Sequence, residues 1–131
     1  GKPLDEELLR KIHRNKTGAL INAAVQMGVC AAGGTADDAA RLERYAFDLG
    51  LVFQIVDDVL DVISTPEELG KPIGSDQENG KVTFATIYGP QGALELAQRI
   101  NDESCQVLNQ TYGDRAQFLV RLACQLVTRR K

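Results

Sequence analysis

The sequence predicts an all-α fold, and three observations carry that expectation. Apolar residues recur at spacings of three and four through most of the chain, the period of helices with one face turned inward. No stretch reads as a strand. Gly and Pro punctuate these periodic segments at Gly33-Gly34, across 64–81, at Gly89-Pro90 and at Gly113. The 131 residues carry neither an internal repeat nor a low-complexity tract, so 1–131 is read as one helical domain or part of one.

Residues 3–14 predict a short helix that opens on acidic residues and turns Leu8, Leu9 and Ile12 inward. His13, the only histidine, has no nucleophile pattern around it and reads as a packing or surface residue. Residues 15–34 predict a helix rich in small residues (Gly18, Ala19, Ala23, Ala24, Gly28, Ala31), which lets neighbours approach closely, with a kink near Gly18 and a stop at Gly33-Gly34. Lys16 and Thr17 set a cation and a hydroxyl at that kink; taken alone they suit a solvated lysine. Thr35-Ala-Asp-Asp38 resembles a capping box with Asp in place of the usual Glu. From Ala36 one helix can run to Ile63, about 40 Å at 1.5 Å per residue. Gly50 inside it implies either close packing or a bend.

The second half of that helix is the most informative stretch. At about 100° per residue, Gln54, Asp57, Asp58 and Asp61 share one face. The rest of the circumference is apolar. Leu42, Ala46, Leu49, Phe53, Val56, Leu60 and Ile63 form one stripe, and Ile55, Val59 and Val62 cover the other side. A helix apolar nearly all round is buried, and buried carboxylates are costly unless paired. Asp57 and Asp61 also repel each other at i,i+4. The pattern therefore implies a cavity holding cations, and oxygen-only ligands point to a hard ion, magnesium or calcium. A solvated acidic stripe is the competing reading, and little of the helix is left to be solvated.

Residues 64–81 contain two prolines and three glycines, which exclude a regular helix through the centre. The loop carries Lys71, Asp76 and Lys81. It is not a nucleotide P-loop: the Gly74–Gly80 spacing is one residue too long, Val82 stands where a hydroxyl residue is needed, and no strand precedes it. A short helical turn over 82–88 closes at Gly89-Pro90. Two amphipathic helices follow, 91–112 and 114–129, with Leu94, Ala97, Cys105 and Leu108 inward on the first and Phe118, Leu119, Leu122 and Leu126 on the second. The basic residues after Thr128 complement the last helix's dipole and read as a chain end.

The formal net charge of −3 offers no basic excess for nucleic acid. No apolar run approaches the roughly 18 residues of a membrane span. Cys30, Cys105 and Cys124 are odd in number and form no CxxC pair, which suits a reducing, cytoplasmic setting and no zinc site. The first residues lack the shape of a signal peptide, and a charged opening without Met suits a fragment.

Three blocks taken together resemble the trans-isoprenyl diphosphate synthases of the farnesyl or geranylgeranyl type. They are Lys16-Thr17-Gly18, then Phe53-Gln54 with Asp57, Asp58 and Asp61, then Leu69-Gly70-Lys71, Gly74, Asp76 and Asn79-Gly80-Lys81. The resemblance runs from about Ile12 to Arg129 and implies the C-terminal half of the isoprenoid-synthase helical bundle. It implies Mg2+ as cofactor, with Asp57 a direct ligand and Asp58 and Asp61 helping through hydrogen bonds or bound water. Lys16, Lys71 and Lys81 would bind the allylic diphosphate, Gln54 would contact the allylic substrate or its diphosphate, Thr17 would face the developing carbocation, and Asp76 would act behind the metal's water. The implied reaction condenses isopentenyl diphosphate with an allylic diphosphate in a homodimer. Farnesyl diphosphate is slightly preferred as product.

The family's first aspartate-rich motif, DDxxD, and its isopentenyl diphosphate residues are absent. The chain is therefore expected to be inactive alone, as part of a longer synthase. A non-catalytic subunit binding magnesium-diphosphate, or a partner chain, is the alternative. A ferritin-type site needs Glu-x-x-His pairs, which one histidine cannot supply. Terpene cyclases, similar in fold, carry Asn and Ser or Thr where this chain has aspartates.

Overall fold

The computed structural model describes residues 6–63 and 82–129. Helix α1 is Glu6–His13, followed by a π-helical turn at Arg14–Gly18 and by α2, Ala19–Ala31. Helix α3 is Ala36–Ile63 and α4 is Phe84–Tyr112; a 3-10 turn, Gly113–Ala116, leads into α5, Gln117–Thr128. The described residues contain no strand, so the all-α expectation holds. The expected loop over 64–81, with Lys71, Asp76 and Lys81, lies outside the described residues.

Helix α3 is the axis: α1, α2, α4 and α5 all pack on it. Its start is the expected capping box. The Asp38 N–H donates to Thr35 Oγ1 at 3.1 Å, and Asp38 Oδ2 accepts from the Thr35 N–H at 3.0 Å, so the shorter acid still closes the ring. Gly33, at φ 72°, ends α2 as predicted, in a conformation that side chains resist.

Two apolar clusters share α3. Val52, Ile55, Val56 and Val59 meet Leu9, Phe84, Ala85, Ala93 and Ala97 around its second half. Tyr45 and Leu49 meet Cys105, Leu108, Ala116 and Ala123 around its first. Three residues expected inward are not. Leu8 is 43% exposed, Ile63 55% and Phe118 75%. On a helix as short as α1 adjacent residues diverge by about 100°, and Leu9 takes the inward position. Phe118 stands five residues before Ala123, the buried residue of α5, and so lies about 140° round the helix from it. Ile63 is the last residue of α3, at the edge of the described residues.

Gly50 answers to close packing. A Cβ there would lie 3.0 Å from Gly18 Cα and 3.1 Å from Gly18 N. Two glycines thus let the π-helical turn touch α3 backbone to backbone. Gly89-Pro90 closes the short helical turn as expected: Gly89, at φ 76° and ψ 160°, is non-helical, and α4 is kinked there into two helical segments.

Candidate active site

The site grows from the Gly18–Gly50 contact. Along α3 from Gly50, residues four, seven, eight and eleven further on are Gln54, Asp57, Asp58 and Asp61, all on the face Gly50 presents. The turn carrying Lys16 and Thr17 is therefore fixed at the head of the polar stripe. A π-helical turn is uncommon and often marks a functional position. Here the Arg14 guanidinium lies 3.9 Å from the Phe47 ring centroid and pins the turn to α3. Lys16 is exposed and Thr17 half-buried.

The carboxylates occupy different environments. Asp58 is buried at 8% exposure; its Oδ1 accepts from Gln54 Nε2 at 3.0 Å and its Oδ2 from the Phe84 N–H at 3.3 Å. Phe84 is the first residue of α4, so the Asp58 charge faces a helix N-terminus, where an anion is favoured. Thr83 finishes that cap by accepting from the Thr86 N–H at 3.2 Å. Asp61, one turn further, is also 8% exposed. Asp57 stands apart, with its side chain 57% exposed. A solvated stripe is excluded, because two of the carboxylates sit inside.

Arg129 is the residue that sequence reasoning missed. Its Nη2 lies 3.6 Å from Asp57 Oδ1 and donates to the Phe53 carbonyl at 3.1 Å, while its guanidinium stacks 4.3 Å from the Phe53 ring centroid. No signal in the sequence connects the end of α5 to the middle of α3. His13 packs its ring 5.8 Å from that of Phe84, and burial first, then Lys16, lowers its pKa. That agrees with a packing role.

No three His, Cys, Asp or Glu side chains converge on one point among the described residues. A closed protein cage is thus not formed there. Magnesium seldom needs one: it keeps several waters and binds through one or two carboxylates plus substrate phosphates. An exposed Asp57 oxygen beside buried acids fits that style of site. Both Asp58 oxygens already accept hydrogen bonds, which fits support from behind.

The sequence profile of the polyprenyl synthetase family matches residues 2–120. The chain belongs to the polyprenyl synthetase family. Among curated relatives, geranylgeranyl pyrophosphate synthase 9, chloroplastic, of Arabidopsis thaliana is 41% identical over 123 residues, 94% of this chain and 34% of that protein. Geranylgeranyl diphosphate synthase of Cyanophora paradoxa is 46% identical over 98 residues, 75% of this chain and 33% of the relative. A dimethylallyltranstransferase of Fischerella ambigua is 40% identical over 126 residues, 96% of this chain and 36% of the relative. The chain spans about a third of the length of these relatives. As a polyprenyl synthetase segment it holds Lys16, Thr17, Gln54, Asp57, Asp58 and Asp61 in described helices. Lys71, Asp76 and Lys81 fall outside them. Among the described residues, no helix is long and apolar enough to cross a membrane.

Proposed function

We propose that this chain is the C-terminal part of a magnesium-dependent prenyltransferase that joins isopentenyl diphosphate to an allylic diphosphate. The observation that carries the proposal is the single exposed carboxylate, Asp57, on a stripe whose other acids are buried and whose head is the Lys16-Thr17 turn. Magnesium, when bound, offsets the charge that develops on a departing diphosphate. Asp57 would hold it, Asp61 would lie behind, and Asp58 would keep its orientation through Gln54 and the α4 N-terminus. Lys16 adds positive charge for the diphosphate, as Lys71 and Lys81 would from their segment. Thr17 presents its hydroxyl oxygen toward the allylic carbons.

The relatives' names turn the product preference from farnesyl toward geranylgeranyl diphosphate. Homodimerisation and a cytoplasmic setting remain part of the reading; some relatives are named chloroplastic or mitochondrial. The alternative is a non-catalytic subunit that binds magnesium-diphosphate or a partner chain. Calorimetric titration with a bisphosphonate, with and without magnesium, tests the site. Magnesium-dependent binding lost in Asp57→Ala is the expected result, and binding indifferent to that change would remove Asp57 from the site. Condensation of isopentenyl diphosphate once the first aspartate motif is supplied separates enzyme from subunit.

A further inference from the structure

The α4–α5 hairpin carries chemistry that the proposed reaction does not use. A groove of about 490 Å3 opens between the two helices, lined by Cys105 and Cys124 together with Asn101, Asp102, Gln106 and Asn109. The helices run antiparallel from the turn Gly113–Ala116, and each cysteine stands eight residues from it, Cys105 before Gly113 and Cys124 after Ala116. At ~1.5 Å per residue, both lie about 12 Å from the turn, at the same level of the hairpin. Cys105 is buried at 8% exposure, Cys124 is exposed, and both are free thiols.

The hairpin geometry points to a dithiol site: we propose that Cys105 and Cys124 together take one soft, thiophilic centre, of the Cu(I) or trivalent-arsenic class, bridged between their sulfurs. Soft centres of this kind prefer thiolate ligands. With no three ligating side chains gathered among the described residues, a centre that takes two protein sulfurs suits this groove better than tetrahedral zinc. Cys124, open to solvent, captures the centre first, and Cys105 closes the bridge from the inner wall. Burial raises the Cys105 pKa, with smaller contributions from Cys124 and Asp102. Cys30, exposed on α2, lines no part of the groove and is the internal control.

The test uses phenylarsine oxide, whose arsenic condenses with two thiols, forming two As–S bonds and releasing one water without oxidation of either partner. Native protein is treated with one equivalent, challenged with a monothiol, and then with a dithiol, while intact mass is followed. The second As–S bond is intramolecular, so release by the monothiol should be on the order of 100-fold slower than from a singly attached site. The dithiol should strip the adduct. Cys30→Ser should behave as the parent. Cys124→Ser should lose the slow release, as should Cys105→Ser and Cys105→Ala, the second guarding against a fold defect from a buried hydroxyl. Slow release that survives loss of Cys105 or Cys124, or rapid release from the parent itself, would overturn the proposal.

Discussion

The two halves of α3 are one continuous helix with opposite uses of their polar residues. In the first half, polar groups tie α3 to the helices packed on it. Asp38 accepts from Thr35, from Arg41 at 3.3 Å and from the Tyr112 hydroxyl at 2.5 Å, tying the start of α3 to the end of α4. The Tyr45 hydroxyl donates to the Leu119 carbonyl at 2.8 Å, tying α3 to α5, and Asp48 lies 3.6 Å from Arg44. In the second half Asp58 does similar work, whereas the Asp57 side chain is 57% exposed and meets Arg129 at 3.6 Å. A helix that braces its neighbours with one half can hold a carboxylate in place with the other. Rigidity and reactivity are divided along its length.

The strongest challenge to that division is Phe84→Ala. Phe84 is fully buried between α3 and α4 and sets the N–H that Asp58 accepts. Its loss should cost about 3–5 kcal/mol, read from the denaturant midpoint, and should weaken diphosphate binding as well. Gly50→Val comes next. Its side chain would meet the Gly18 backbone, and overpacking of this kind costs roughly 1–3 kcal/mol. Because the Lys16-Thr17 turn would be pushed away, bisphosphonate affinity should fall more than in a core variant of equal stability loss.

Tyr45→Phe removes a hydroxyl from the bracing half and should cost about 0.5–1.5 kcal/mol with no change in magnesium-dependent binding. A loss of binding there would break the comparison. The smallest effect is one of pH. The Tyr112 hydroxyl first, then the Thr35 backbone, lowers the Asp38 pKa from the ordinary 3.8 to about 2. The lowered value means a contribution fully present above the ordinary pKa and lost as pH falls toward 2. Tyr112→Phe should raise the Asp38 pKa in a carboxyl NMR titration and flatten the acid limb of stability. An unchanged titration would show that Thr35 and Arg41 suffice.

Sequence spacing alone placed the helices well, because period and punctuation are local. The Thr35–Asp38 box, the stop at Gly33 and the break at Gly89 each follow from a few neighbouring residues. So does the gathering of Gln54, Asp57, Asp58 and Asp61 on one face. Spacing could not divide those acids into buried and exposed, since that depends on what α4 and α5 bring against α3. Leu8 and Phe118 failed for a related reason: apolar character says that a residue can be buried, not which of two adjacent ones the neighbouring helix reaches.

The sequence by itself thus determined the all-α class, the boundaries of α3 and the chemistry available on its polar stripe. These rest on backbone preferences and helical period, which act within a few residues. Only the tertiary structure decided that Gly18 seats on Gly50, that Asp58 faces the start of α4, and that Arg129 crosses to Asp57. Those contacts join residues far apart in the chain, and they exist because apolar burial brings the helices together and fixes which side chains meet.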